Sequence, residues 1–564
     1  MVCWEQQRTD LEVRGTGFLD SPGKGSSARS DATLGGTRRW CSRHRLLQHA
    51  PADFVAIGLV LLATSLAHWA ALGNGFFGSD TWPWLVSTRT DRPDDVLRVA
   101  FSPIMSGTNF VTEVALFYHP LTALTYSLDQ ALFGLNPSAF YVTNLFLHLA
   151  ATLALYSLAR GVGLSWLASA GTALVLGLHP IASATVPSMP RRQDLVVGVF
   201  LLGSMSLLVR SGIAQARLSM EKLAAALVLY VMALGGKEIA YAAVAVVPLV
   251  IAASVVGPPG DTSRTTRSTI MRRATAIVAA FVAVEGVAFA IRWLVLGGLG
   301  GYHGSETVTG QIDGILEYYV RPYITYALWP FQAWMPDRLR DWLLLVGGVA
   351  IVIGIALVNM SRRRQVVAVL ALGWQATFLL LYVAVHNSIN PYLLYVPIAG
   401  LALLVGVLLD GAFDVLRDVG ESSRRARLKR SIVLVGGACA ILLQVGVVRS
   451  AAVGFGSTEF RAASAVSERF VEQAMACLAS VPAGGLVTVT GLPHRILFGT
   501  AESDFVDAYV FEPYSLESLI RLLAPTNHPH VTVQSIQEVT VRQATVRLDC
   551  TREGDVWLIS TSIS

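Results

Sequence analysis

Four small groups of residues in this sequence have the chemistry to act on a substrate. Asp80 ends the stretch Asn74-Gly75-Phe76-Phe77-Gly78-Ser79-Asp80. A carboxylate there can act as general base toward an acceptor hydroxyl. It can equally belong to a helix start before Trp82 and Pro83, with Ser79 or Asp80 as the cap. Asp94 and Asp95 follow in a polar stretch and read as solvated. Arg191, Arg192 and Asp194 come just after Pro190. Two guanidinium forks suit a phosphate; the alternative is an Arg192–Asp194 pair, with Arg191 snorkelling to water. Lys237 and Glu238 interrupt an apolar stretch. They can bind a lipid phosphate, position a reactant or neutralise each other. His119-Pro120, His179-Pro180 and His386 complete the set, and a lone histidine of this kind serves a structure more often than a reaction. The chain has no HExxH, no Walker loop and no GxSxG. Its cysteines, Cys3, Cys41, Cys439, Cys477 and Cys550, form no CxxC or Cys/His cluster, so no metal site is expected.

The elements that must position these groups are apolar. Of 564 residues, 53% are hydrophobic and 14% charged, and the mean hydropathy is +0.54. A soluble chain carries about 25% charged residues. The deficit comes from repeated apolar runs, many close to the roughly 20 residues that cross a bilayer. Eleven spans are expected: Asp53–Leu72, Phe140–Ala159, Trp166–His179, Leu195–Val209, Leu223–Gly235, Ile239–Val256, Thr275–Val295, Trp342–Asn359, Gln365–Ala384, Leu393–Leu409 and Ser431–Val448. The runs around Lys237 and Glu238 are two spans or one interrupted span. Ionisable groups are costly inside a bilayer, and every candidate above falls at a span end.

The basic residues set an orientation. Arg43 and Arg45 precede the first span. Arg210, Arg217 and Lys222 follow the fourth, and Arg264, Arg267, Arg272 and Arg273 follow the sixth. Arg362, Arg363 and Arg364 follow the eighth, and Arg417, Arg424, Arg425, Arg427, Lys429 and Arg430 follow the tenth. All fall on one side if the N-terminus is cytoplasmic, and eleven crossings then place the C-terminus outside. The net charge of +5 is spent in these clusters and does not point to nucleic acid. Residues 1–52 are polar, lack periodicity and read as a disordered cytoplasmic segment. No signal-peptide pattern precedes the first span, which is expected to stay as an anchor.

Residues 53–448 thus read as a transmembrane domain with long outer loops at 73–139 and 296–341. In the first loop Leu121, Leu124, Leu128, Leu132 and Leu135 recur at helical spacing, with Thr122, Ser127, Asp129 and Gln130 between them. That pattern predicts an amphipathic helix in the membrane interface. Residues 449–564 change in composition and read as a small extracytoplasmic α/β domain. Helices are expected over Ala462–Leu478 and Leu516–Leu523, and strands over Leu486–Val489, Val531–Ile536, Ala544–Leu548 and Val556–Ser560. Cys477 lies near the end of the first helix and Cys550 at the end of a strand. A strand packed on that helix would allow a disulfide if the Cα atoms come within about 7 Å; two buried thiols are the alternative.

Taken in order, these stretches resemble a known pattern. Its parts are Asn74-Gly75-Phe76 with Ser79-Asp80; Tyr118-His119-Pro120-Leu121-Thr122 leading through Gly134-Leu135-Asn136-Pro137 to Asn144 and His148; His179-Pro180 with Arg192 and Asp194; and Lys237-Glu238 before Ile239-Ala240. Asn390-Pro391-Tyr392 through Pro397 adds a weaker match. The order and spacing are similar to the GT-C glycosyltransferases, in the protein O-mannosyltransferase-related branch of transmembrane-and-tetratricopeptide proteins. The resemblance covers Asp53 to Leu409; the tail has no 34-residue helical period.

The resemblance implies a GT-C-like fold and a hexosyl transfer that inverts the anomeric centre. The donor would be a polyprenyl-phosphate sugar, and the acceptor a hydroxyl of a protein, glycan or lipid. No tightly bound cofactor is implied, and a divalent cation is left open. Asp80 would be the base. Arg191, Arg192 and Lys237 would bind the donor phosphate, with Glu238, Asp194, His119 and His179 in support. Two positions depart from the pattern: Ser79 stands where relatives often have a first acid, and His119 where they often have Arg. The basic N-terminus and repeat-poor chain fit a bacterial inner membrane, with the endoplasmic reticulum as the alternative. A lipid-linked sugar flippase or other transporter, or a non-catalytic membrane scaffold, is the competing reading. Transporters place ionisable groups near the midplane and show repeated halves, whereas here such groups collect at outer span ends and no internal repeat is visible.

Overall fold

The computed structural model of the chain describes residues 51–256, 265–303, 360–385, 390–418, 457–497, 508–524, 529–540 and 546–563, with residues 323, 324, 347 and 354. The expected spans Trp342–Asn359 and Ser431–Val448 fall almost wholly outside the described residues, as do residues 1–50, most of loop 296–341, and His386. The chain divides into two compact units, Met1–Leu59 and Val60–Ser564. Of the first, residues 51–59 are described, and all are helical.

The described elements begin with α1 (Pro51–Gly73). The loop that follows holds α2 (Thr81–Ser87), α3 (Pro93–Ala100), α4 (Asn109–Glu113), strand β1 (Ala115–Leu116) and α5 (Pro120–Phe133). Next come α6 (Pro137–Gly161), α7 (Trp166–Leu178), α8 (Pro180–Thr185), α9 (Arg192–Val209), α10 (Met220–Leu234), α11 (Val247–Val255) and α12 (Arg267–Leu296). Strand β2 (Gly301–Tyr302) pairs antiparallel with β1, and α13 (Arg362–Val385) and α14 (Ile398–Asp418) follow.

Among the described residues, six helices are long and apolar enough to cross a membrane: Pro51–Gly73, Pro137–Gly161, Trp166–Thr185, Met189–Val209, Arg267–Leu296 and Arg362–Tyr382. The pair Glu238–Ala245 and Val247–Val255, bent by 45°, makes a seventh if it is one broken span. The expected span Leu223–Gly235 is helical, but α10 has only 15 residues. The expected span Leu393–Leu409 is divided between a 3-10 turn, Pro391–Leu394, and α14.

Local sequence sets these boundaries. Asn136 caps α6 by accepting from the Ser138 N–H, with Pro137 in the first helical position. Ser165 and Thr266 cap α7 and α12 in the same way. Gly297, at φ 67°, ends α12 in the left-handed region that suits glycine. Phe146, Val228, Val282, Leu294 and Leu380 remain exposed on the helix assembly; together they suit a lipid surface rather than water.

Among the described residues, the basic clusters after α9, at the start of α12 and at the start of α13 converge on one end. Arg210 donates to Ser157 O, and Arg273 to the carbonyls of Ile213, Gln215 and Ala216. Arg363 packs on Gly163. Arg364 pairs with Asp410 and Asp414, and Asp410 also accepts from the Ser165 N–H. Helices α9, α12, α13 and α14 each have one terminus here, so their other termini lie at the opposite end.

Helix α5 is amphipathic in the expected sense, and its polar face is the buried one. Leu128 and Leu132 are exposed, while Thr122, Ser127 and Asp129 are buried. The buried groups find partners: Thr122 Oγ1 donates to Gly236 O, Ser127 Oγ to Thr88 O, and Thr143 Oγ1 to Asp129. Leu128 and Leu132 thus face outward, as an interfacial helix requires, while Leu121 and Leu124 are half-buried against the core.

The C-terminal segment starts with α15 (Ser457–Leu478). It continues with β3 (Leu486–Thr490), β4 (Leu492–Leu497), β5 (Ala508–Tyr509), α16 (Pro513–Leu523), β6 (His530–Val533), β7 (Ile536–Thr540), β8 (Val546–Glu553) and β9 (Val556–Ile563). One sheet has the order β6-β3-β9-β8 and a second β5-β4-β7. β3 runs parallel to β6 and β9, and β8 antiparallel to β9. Gly491, at φ 74°, turns the chain from β3 into β4, so one extended segment serves both sheets. The expected strand Val531–Ile536 is two strands, and β8 runs past Cys550 to Glu553. Strands β4 and β5 carry His494, Arg495 and Tyr509 and do not alternate cleanly, which hid them. Cys477 and Cys550 form a disulfide, with Cα atoms 6.0 Å apart. The outer loop and this segment share one apolar core, in which Phe76, Phe77, Trp82 and Phe110 meet Phe460, Phe470 and Phe511.

Candidate functional site

At the end opposite the basic clusters, the outer loop, the helix termini and the C-terminal segment enclose a cavity of about 660 Å³. Its wall includes Asp80, His119, Arg191, Lys237 and Glu238, which come from four separate stretches of sequence.

Asp80 reaches the cavity through a tight turn. Gly78 has φ 99°, a conformation available to glycine at little cost. Asp80 occupies the N-cap position of α2 but makes no capping bond with its side chain. Its Oδ1 instead accepts from Tyr514 Oη at 2.5 Å. The helix-cap reading therefore fits its position but not its carboxylate. Burial lifts the Asp80 carboxyl above the usual range; the Tyr514 hydrogen bond and the Arg191 charge pull it back, and Glu512 adds to the rise. Asp95 does act as a cap, accepting from the N–H groups of Asp91 and Arg92.

Arg191 ends a short 3-10 turn, Met189–Arg191, fixed from three sides. Tyr126 Oη donates to Met189 O, Asn144 Nδ2 to Val186 O and Ser188 O, and Arg191 Nη1 to Ala184 O. The Arg191 guanidinium lies 4.2 Å from the centre of the Tyr392 ring and 5.4 Å from that of Phe460. Lys237 Nζ is 5.7 Å from the same Tyr392 ring and donates to both Asp194 oxygens at 3.0 and 3.1 Å. His119 Nε2 lies 2.5 Å from Glu238 Oε2.

Three expected site residues are not on the cavity wall. Arg192 is fully buried. Its guanidinium pairs with Asp129 at 2.6 Å, donates to Asn144 Oδ1 and Phe140 O, and lies over the Tyr126 ring. A donor phosphate cannot reach a fork so occupied, and this corrects the expectation of a matched arginine pair. Successive helical residues point about 100° apart, so one arginine faces the cavity and the next faces the α5–α6 interface. Asp194 sits behind Lys237 as its partner, and the expected Arg192–Asp194 pair is replaced by Arg192–Asp129 and Lys237–Asp194. His179 caps α8, its Nδ1 accepting from the Ile181 N–H. Asn144 holds the turn that carries Arg191, and His148 Nδ1 lies 2.7 Å from Tyr395 Oη; both serve the scaffold.

Sequence reasoning missed Tyr514, Glu512 and Tyr302 on this wall. Tyr392 was signalled by Asn390-Pro391-Tyr392. Tyr514 carried no signal, because its segment read as a separate domain. Among the described residues, no group of three or more His, Cys, Asp or Glu side chains is placed to hold a metal ion.

The chain is an α-helical integral membrane protein with a cavity lined by acids and cations at one end of its helices. Its sequence is similar to protein O-mannosyl-transferases, as the motif order implied. It is 32% identical to protein O-mannosyl-transferase TMTC1 of Homo sapiens over 185 residues, 31% of this chain and 20% of that protein. Against protein O-mannosyl-transferase TMTC3 of Mus musculus it is 26% identical over 156 residues, 28% of this chain and 17% of that protein. The match thus spans a fifth or less of each relative's length. No family model matches the chain. Solved structures with some likeness include ArnT from Cupriavidus metallidurans bound to undecaprenyl phosphate, at 14% identity and TM-score 0.44, covering 86% of this chain and 90% of that one. The Archaeoglobus fulgidus oligosaccharyltransferase tethered to an acceptor peptide is another, at 10% identity and TM-score 0.41, covering 86% and 64%.

Proposed function

We propose that this chain is a GT-C-type membrane glycosyltransferase that moves a hexose from a polyprenyl-phosphate donor to an acceptor hydroxyl of a protein, glycan or lipid. The observation that carries the reading is the Asp80 carboxylate. It holds a helix-cap position, makes no cap bond, and shares a cavity with Arg191 and Lys237. Transfer requires a proton acceptor near the attacking hydroxyl and positive charge near the departing phosphate.

In this reading Asp80 removes the hydroxyl proton as the oxygen attacks the anomeric carbon. The sugar–phosphate bond breaks, and its electron pair leaves on the polyprenyl phosphate. Arg191 and Lys237, on the ring of Tyr392, stabilise that developing charge, and one displacement inverts the centre. Asp194 keeps Lys237 ionised and in place, and Glu238 orients His119. The raised Asp80 carboxyl makes its carboxylate a better proton acceptor than a freely solvated one. In this reading the N-terminus is cytoplasmic by the positive-inside rule, the cavity opens on the outer side, and the membrane is a bacterial inner membrane.

The test is transfer from a radiolabelled polyprenyl-phosphate hexose by the protein in liposomes. Asp80→Asn should lower the rate about 10²–10⁴-fold, and Asp94→Asn should leave it unchanged. Wild-type turnover in Asp80→Asn would remove the base. Failure of a donor-analogue photocrosslink to label the cavity wall would remove the donor class.

A further inference from the structure

The C-terminal segment does more than cover the cavity. Tyr514 stands in the first turn of α16, behind Pro513 and a capping box between Glu512 and Ser515. Its ring packs edge-on against Phe110 at 5.9 Å, and its hydroxyl donates to Asp80 Oδ1 at 2.5 Å. The surrounding contacts fix this register. Trp82 stacks on Phe511 at 6.2 Å, Arg521 Nη1 donates to Gly107 O at 2.7 Å, and the Gly75 N–H donates to Ser464 Oγ at 2.6 Å. Three of these residues, Gly75, Trp82 and Asp80, lie within a few positions of one another in the outer loop. The stretch that carries Asp80 is therefore the stretch on which the C-terminal segment docks.

We propose that Tyr514 is a positioning residue for Asp80, its hydroxyl orienting the carboxylate and favouring its charged form within the enclosed cavity. The proposal rests on the reading of Asp80 as the base. A hydroxyl that donates to a carboxylate stabilises its charged form, and a buried carboxylate needs such help most. The other groups that act on Asp80 come from several elements: Arg191 from the turn before α9, Glu512 from the cap of α16, and Ser79 from the preceding residue. Tyr126 of α5 and Tyr302 of β2 also sense its charge. Of these, Tyr514 and Ser79 act through a side-chain hydrogen bond, and Tyr514 alone belongs to the C-terminal segment.

The experiment uses the full chain in nanodiscs and reads the Asp80 carboxyl directly, by infrared difference spectra of wild type against Asp80→Asn across pH. Tyr514→Phe keeps the ring and removes the donor, and should move the Asp80 midpoint up by about 1–2 pH units. Incorporation of 3,5-difluorotyrosine at position 514 makes a stronger donor of the same shape and should move it down. An unchanged midpoint in either folded variant overturns the proposal, whatever the transfer assay gives. Where transfer is measured, the acid limb of kcat should follow the midpoint while KM for the donor holds. If wild-type protein transfers no sugar but the midpoints move, the transferase reading falls and the Tyr514–Asp80 coupling stands. If Asp80→Asn is inactive and both midpoints stay put, Tyr514 loses its role and Asp80 keeps its own.

Discussion

Arg192→Met should unfold this protein or bring it close to unfolding, although its neighbour Arg191 can be changed with far smaller effect. Arg192 is fully buried, and its partner Asp129 is 3% exposed. Removing the guanidinium leaves a carboxylate with no cation in a site closed to water, along with an unmet Asn144 Oδ1 and Phe140 O. Breaking a buried pair from one side costs about 3–5 kcal/mol, against a total stability on the order of 5–15 kcal/mol. The double variant Arg192→Met with Asp129→Leu removes both charges and restores apolar volume. It should recover most of the loss, leaving about 1–3 kcal/mol for the orphaned acceptors. The assay is the thermal midpoint and monodispersity of the purified protein in detergent, for wild type, both single variants, the double variant and Arg191→Met. The expected order is wild type, then Arg191→Met, then the double variant, with Arg192→Met last. A stable Arg192→Met, or a double variant no better than the single, would refute the structural assignment and return Arg192 to the site.

Asp80→Asn should be neutral or slightly stabilising above pH 5. The folded-state carboxyl is raised by burial, so ionising it costs more folded than unfolded; that cost grows from the unfolded pKa up to the folded one, and the amide avoids it. A falling thermal midpoint in the variant at neutral pH would contradict this. An impermeant thiol reagent should label cysteines placed near Gly456 and miss Arg425→Cys; labelling of both from outside would remove the orientation. Reducing the Cys477–Cys550 disulfide opens a loop with a sequence separation of 73 and should cost about 2–4 kcal/mol. Mass mapping of the unreduced protein should find the linked peptide, and free alkylation of both thiols after denaturation would rule it out.

Six of the expected spans and the amphipathic α5 were legible, because lipid burial imposes long apolar runs and because Leu121, Leu124, Leu128 and Leu132 recur at helical spacing. Which face of α5 points inward was not, since in a membrane protein the leucines can face out. The candidate residues were legible as polar groups at span ends, yet their pairing was not. Asp194 and Glu238 have near neighbours in sequence that could serve as partners, but Lys237 reaches back to Asp194 and His119 crosses 119 positions to Glu238. Arg192 was indistinguishable from Arg191 by type, and only the direction each takes where the turn Met189–Arg191 enters α9 separates them. Strands β4, β5 and β7 escaped because a short second sheet with His494 and Arg495 has no clean alternation. The Tyr514 contact spans 434 positions, which no local pattern can signal.

The same geometry explains why one short outer stretch holds so many quoted motif residues. Residues 74–82 must do three things at once. Gly75 lets its backbone meet α15, where its N–H finds Ser464 and an added Cβ would strike the Glu468 side chain. Gly78 turns the chain by a positive φ that Asp80 needs in order to face inward. Phe76, Phe77 and Trp82 then fill a core made jointly with the C-terminal segment. A carboxylate carried on a free loop would relax toward water and a normal pKa. Here the neighbouring aromatic residues reduce its exposure, and Tyr514 and Arg191 offset part of what burial costs the Asp80 charge. The Tyr514 hydrogen bond thus couples the acid end of the cavity to the C-terminal segment. The cationic end, Arg191 with Lys237 and Tyr392, rests on the helix assembly and meets Phe460 of the C-terminal segment.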